Sequence, residues 1–173
     1  MQELIYCPKC GTKLEEKWHE TEEKMIPYCP SCEEYKFPMF NTAVSMIVMN
    51  EKKDKIVLIK QYGRDSYVLV AGYVNQGEDA EDAVMREVRE ELGLQVETLA
   101  FNRSHYFAPS NTLMLNYTVM VKGDIHPNWE VDSYSIFTLE EARKNIRPHS
   151  LAEAFLNGYL DGKYDFNNGD YSR

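Results

Sequence analysis

The chain has 173 residues, with 19 Lys and Arg against 28 Asp and Glu, giving a formal net charge of −9 with His neutral. That length allows one ordinary domain, or a domain with a small appendage, and a hydrophobic content of 43% excludes a disordered polymer. The acidic balance weighs against sequence-independent nucleic-acid binding, which depends on Lys and Arg displacing phosphate counterions.

The opening run from Met1 to Cys7 has neither a basic start nor a continuous apolar stretch, so no secretory signal is expected. Apolar runs such as Ala43 to Met49 and Val68 to Ala71 fall far short of the roughly 18–20 residues of a membrane helix. A soluble, cytoplasmic protein without membrane contact is therefore expected.

All four cysteines lie in the first 32 residues, as Cys7-Pro-Lys-Cys10 and Cys29-Pro-Ser-Cys32. Two residues between cysteines let both thiolates of a tight turn face one ion. Two such turns complete the tetrahedral sulfur shell of structural zinc and leave no position open for substrate. Two disulfides, a redox pair or a catalytic metal are the competing readings. The first suits an oxidising compartment, and the second needs one pair at a helix start. His19 is an alternative ligand in place of one cysteine. Between the pairs, Leu14, Trp18, Met25 and Ile26 suggest a small hairpin with too little core to fold without metal.

Beyond Pro38 the pattern changes. Strands are expected over Thr42 to Met49, Lys55 to Lys60 and Tyr67 to Ala71. A helix from Ala80 to Leu92 follows, with Asp79 as N-cap, Ala83, Val84, Val88 and Leu92 as a buried stripe, and Gly93 as its stop. On it Glu87, Glu90 and Glu91 stand at i, i+3 and i+4, a like-charge set that costs an isolated helix a few tenths of a kcal/mol per pair. A divalent cation bound by hard oxygen ligands would offset this; a solvated acidic face is the plainer alternative. Glu78 to Glu97 holds eight acids against Arg86 and Arg89, so most of the excess charge is local.

Gly72, Glu78 and Arg86-Glu87-Val88-Arg89-Glu90-Glu91-Leu92-Gly93-Leu94 are spaced as in the Nudix box, and the chain resembles the Nudix hydrolase family from Pro38 to Tyr159. The resemblance implies an α/β (α+β) fold, an α/β/α sandwich around a mixed sheet preceded here by a four-cysteine zinc ribbon. It also implies a Mg²⁺- or Mn²⁺-dependent hydrolase of nucleoside diphosphates linked to another group. It assigns Glu87, Glu90 and Glu91 to metal binding and pairs Arg86 with Glu78 to hold the loop against the helix. A further loop carboxylate, as metal ligand or general base, falls on Glu130, with Asp132 as the fallback. The expected domains are the ribbon at 1–36, the catalytic domain at 37–162 and a flexible tail at 163–173.

The ribbon placed before the box further resembles the NADH pyrophosphatase subgroup, which cleaves NAD(H) and can remove NAD caps from RNA. That likeness puts Phe37 and Tyr73 on either side of a ring and Ala71 and Gly72 beside the substrate. The subgroup's array after the box, Ser-Gln-Pro-Trp-Pro-Phe-Pro-x-Ser, is here Ser104-His-Tyr-Phe-Ala-Pro-Ser-Asn-Thr112. Most of its prolines are shifted or lost, and the domain preceding the ribbon in longer members has no counterpart in these residues. Both departures put NAD(H) specificity in question. Ser104 to Thr112 is expected to line the cleft as a loop, with Tyr106 and Phe107 as stacking groups and Lys60, Arg64 and Arg103 as phosphate clamps. Strand alternation resumes at Leu113 to Val121, and two helices, Leu139 to Asn145 and Ser150 to Leu160, flank Arg147-Pro148. By analogy with related enzymes a homodimer is possible.

Overall fold

The computed structural model describes residues 4–164. They fall into two compact units, one comprising the residues up to Phe40 with Ala108–Asn111, the other Asn41–Phe107 and the chain from Thr112 onward.

In the first unit the expected hairpin is present. β1 (Glu15–His19) pairs with β2 (Lys24–Cys29), and β3 (Glu34–Tyr35) adds a third antiparallel strand. Among the described residues of this unit only Cys7, Ile26 and Cys29 are buried, and two of these three are candidate zinc ligands. Apolar burial on that scale cannot offset the conformational entropy of ordering the segment, so its stability depends on the cysteine cluster.

The second unit is built on a mixed sheet. Its strands are β4 (Asn41–Asn50), β5 (Lys55–Gln61), β6 (Val70–Tyr73), β7 (Gln95–Phe107), β8 (Thr112–Lys122) and β9 (Val131–Thr138). Their order is β7-β8-β4-β5-β9, with β6 also on β4; β4 and β8 run parallel and the remaining pairs antiparallel. From Ala43 to Met49 β4 is apolar at every position except Ser45, because both of its faces are covered. Val44, Met46 and Val48 pack with Val84, Val88 and Leu92 of α1 (Ala80–Leu92). Ile47 and Met49 point the other way, packing with Phe155 and Leu156 of α3 (Leu151–Leu160) and Ala142 of α2 (Leu139–Asn145). Helices on both faces of a mixed sheet are the expected α/β/α sandwich. Within the sheet a buried polar group ties three strands together: Asn116 donates to the Ser45 carbonyl (3.1 Å), while Asn102 donates to Asn116 (2.7 Å) and Thr118 (2.9 Å).

Several expectations need correction. The third strand is Val70–Tyr73, not Tyr67 to Ala71; Tyr67 and Val68 make only isolated bridges, to Ile146 and Ile59. Ser104 to Thr112 is not a loop. β7 continues through Phe107, with Tyr106 opposite Leu113 and Phe107 opposite Thr112, and only a short 3-10 turn at Ala108–Ser110 intervenes. Exposed polar residues on an edge strand hid its periodicity. Asp79 occupies the N-cap position of α1, yet its side chain makes no capping bond. Thr138 instead caps α2 with a complete capping box shared with Glu141. Lys163 and Tyr164 fold back on α3, Lys163 N–H bonding the Gly158 carbonyl (3.0 Å); the rest of the expected tail, 165–173, lies outside the described residues. Among the described residues no helix is long and apolar enough to cross a membrane.

Candidate functional site

α1 presents three glutamates on one side, and the structure gives each a different environment. Glu91 is 2% exposed. Its Oε1 accepts a hydrogen bond from Gln61 Nε2 (3.1 Å), while its Oε2 is buried with no partner. Burial pushes its carboxyl up to about 8, with the negative charges of Glu87 and Glu130 adding to the effect. Glu87 lies against the backbone of Gly72, where a Cβ would stand 2.0 Å from the carboxylate; that close approach is why glycine is needed there. Glu90 is half exposed at the outer edge.

Arg86 binds the loop to the helix. Its guanidinium donates to both oxygens of Glu78 (2.7 and 2.9 Å), to Glu87 Oε1 (2.6 Å), to Glu90 Oε2 (3.2 Å) and to the Tyr73 carbonyl (2.9 Å). Glu78 also accepts from Asn75 N–H (2.9 Å), and chiefly through Arg86 its carboxyl is held down at about 2. Glu78 and Arg86 are thus occupied with each other and fix the loop's course across Gly72.

Glu130 reaches the cluster through strand register. β9 starts with Val131 opposite Gln61, the residue that bonds Glu91, so the preceding Glu130 lies beside Glu91, whose carboxyl its charge raises. Asp132, the alternative, is taken up by the neighbouring turn, where Oδ2 accepts from Gly63 N–H (2.7 Å). Gln61 and Asn128, whose N–H bonds the Glu91 carbonyl (3.2 Å), were not singled out from sequence. The only signal was a polar residue ending an apolar strand.

A buried carboxylate oxygen without a donor, near the helix C-terminus where the dipole is already negative, is the arrangement a cation completes. Carboxylate oxygens suit a hard ion such as Mg²⁺ or Mn²⁺.

The remaining candidates divide. Tyr73 is exposed at the end of β6, and Ala71 and Gly72 pair with Ser45 and Val44 of β4. Phe37 lies in the first unit, its ring 5.8 Å from that of His19. Tyr106 and Phe107 are on β7, separated from β6 by β8 and β4, about 14 Å at ordinary strand spacing. Lys60 is turned away from the glutamates. It pairs with Asp65 and sits over the Tyr67 ring (4.7 Å), on the sheet face opposite Gln61. Arg103 stands beside the Tyr164 hydroxyl, and Arg64 N–H closes a turn on the Gln61 carbonyl (3.1 Å).

The four cysteines converge. Cys7–Cys32, Cys10–Cys29 and Cys10–Cys32 are separated by 3.9, 3.5 and 3.4 Å at sulfur, and all four sulfurs lie within 4.8 Å of one another. A tetrahedral zinc with bonds of ~2.3 Å would space its sulfurs by about 3.8 Å, so the cluster has the dimensions of that shell and no disulfide is present in it. The Thr12 hydroxyl lowers the Cys10 thiol to about 6, whereas hydrogen bonding with Cys10 first, and burial next, push Cys32 up to about 12. A cation is what would hold all four as thiolates. His19 is no substitute ligand: it packs against Tyr35 and Phe37, and its Nδ1 accepts from Glu22 N–H (3.2 Å).

A model of the NUDIX domain family matches residues 39–155. Among curated proteins, the NAD-capped RNA hydrolase NudC of Pseudomonas aeruginosa is 30% identical over 159 residues, 90% of this chain and 55% of that protein. The protein of the same name from Photobacterium profundum is 31% identical over 146 residues, covering 83% and 53%. The chain thus spans about half the length of the curated relatives it matches. The crystal structure of a NUDIX hydrolase from Nitrosomonas europaea covers 94% of this chain and 93% of its own, with a TM-score of 0.69 at 19% identity, a likeness of fold.

Proposed function

Because the chain belongs to the Nudix hydrolase family, we propose that it is a divalent-metal-dependent pyrophosphohydrolase cleaving the diphosphate of a nucleoside diphosphate linked to another group. The observation that carries this is the buried, donorless Oε2 of Glu91 beside Glu87 and Glu130. Glu87, Glu90, Glu91 and Glu130 would hold the ion. When bound, such an ion neutralises the diphosphate and activates water as a nucleophile. Gln61 orients Glu91 through Oε1, leaving Oε2 for the site. Gly72 lets Glu87 lie close to the strand, and the Arg86–Glu78 pair keeps the loop in place during displacement. Glu130, on a loop and not on the helix, is suited to accept the proton of the attacking water.

An NAD(H)-type dinucleotide or ADP-ribose is the substrate we favour, with NAD-capped RNA as an extension that the names of the relatives support. The ribbon, in this reading, holds structural zinc, and its four thiols suit a reducing, cytoplasmic setting. The test is hydrolysis by the purified protein, with Mg²⁺ or Mn²⁺, of NADH, NAD⁺, ADP-ribose, nucleoside triphosphates and NAD-capped transcripts. Release of AMP and nicotinamide mononucleotide from NADH is expected. Absence of turnover with every compound would overturn the proposal.

A further inference from the structure

Two exposed aromatic residues stand on adjoining loops, Tyr62 directly after Gln61 and Trp129 directly before Glu130. Trp129 and Tyr62, at 84% and 68%, are the most exposed large apolar side chains among the described residues. Tyr73 and Ile136 follow in the second unit at 58% and 55%, so the two most exposed large apolar side chains are the ones that adjoin the residues around Glu91.

Both are held there by the backbone. Tyr62 follows Gln61, which bonds Glu91, and precedes Gly63, whose N–H is fixed by Asp132. It is therefore anchored on both sides. Its φ of 55° lies in the left-handed region, an unfavourable conformation for a bulky aromatic residue. A strained residue with an exposed ring is more readily explained by a contact made in the bound state than by packing. Its hydroxyl lies within electrostatic range of Glu130, Glu91 and Glu87. Trp129 lies between Asn128, whose N–H bonds the Glu91 carbonyl, and Glu130. The pairing of Gln61 with Val131 brings the two loops side by side.

We propose that Tyr62 and Trp129 form a ring-binding subsite, receiving the planar base of a nucleotide whose diphosphate lies on the glutamates. This rests on the hydrolase reading for the identity of the ligand. Stacking on an aromatic face tolerates any base, and its loss weakens binding roughly five- to hundred-fold per base.

Trp18 and Trp129 are the two tryptophans of the chain, so in a Trp18→Phe background Trp129 alone reports by fluorescence. Titration with AMP and with nicotinamide mononucleotide, in the presence of Mg²⁺, should quench Trp129 saturably, and the tighter of the two identifies the ring. Tyr62→Ala should weaken that binding and raise KM for the dinucleotide by a similar factor with kcat nearly unchanged. Tyr62→Phe should preserve both. Trp129→Ala should raise KM in the same way, while a ribose diphosphate ester lacking a base should be indifferent to all three changes. Turnover of the dinucleotide with KM unaffected by either alanine variant would overturn the subsite and leave the hydrolase reading intact. Quenching that depends on Tyr62 without turnover of any substrate would uphold the subsite and overturn the hydrolase reading.

Discussion

Replacing Glu91 by Gln keeps the shape of the side chain and removes its charge, and the structure sets the size of the effect. The Glu91 carboxyl ionises at about 8 in the folded chain against 4.5 for an ordinary glutamate. The folded state therefore holds this proton more tightly than the unfolded state. The associated stability is fully present below about pH 4.5 and is lost progressively as pH rises through about 8. In protein without added divalent ion the loss amounts to about 3 kcal/mol at neutral pH and about 5 kcal/mol above pH 8. Glu91→Gln should not show this decline, so at about pH 8.5 the variant should be more stable than the parent by several kcal/mol. Mg²⁺ should stabilise the parent, and more so at high pH, while leaving the variant nearly unchanged. Hydrolysis should fall by more than about 100-fold, since even the outer partners of metal ligands cost 10–100-fold when lost. Urea unfolding at about pH 5, 7 and 8.5, with and without Mg²⁺, measures each quantity. A parent whose metal-free stability is flat or rising across that range, or a variant stabilised by Mg²⁺ as much as the parent, would refute the reasoning.

Gly72→Ala should place a methyl group 2.0 Å from the Glu87 carboxylate; the flexible side chain can yield, so little change in thermal midpoint is expected but a kcat loss of about 100-fold. Cys29→Ser should lower the bound zinc, read by elemental analysis, and abolish the ordered amide signals of β1 and β2 by NMR, with those of the Asn41–Asn50 strand retained. Asn116→Ala should cost about 1–3 kcal/mol in urea unfolding, because Asn102 would lose one of its two acceptors and the Ser45 carbonyl its side-chain donor.

Much of the site was legible because its chemistry lies in one contiguous stretch. From Gly72 to Leu94 the spacing places Glu87, Glu90 and Glu91 on one face of a helix whatever the rest of the chain does, since 3.6 residues per turn is a local property. The cysteine spacing was equally local, and its sulfurs do converge. The bounds of α2, Leu139–Asn145, were read from the break at Arg147-Pro148. β7 was missed because its exposed edge carries Glu97, Arg103 and His105 without a clean alternation, and bulges near Val96 and Phe101 interrupt the period further.

The sequence by itself determined the fold family, the helix of carboxylates and the two cysteine turns, because each depends on residues within a few turns of one another. Tertiary structure decided which of the clustered glutamates is buried, and with it which one lacks a donor. Gln61 and Glu130 lie far from Glu91 in the chain and meet it only through the pairing of β5 with β9. It also settled which nearby charges are already spent, Lys60 on Asp65 and Asp132 on Gly63, because availability depends on which sheet face or turn a side chain joins. Burial and strand register are sums over the whole chain, so no local pattern carries them.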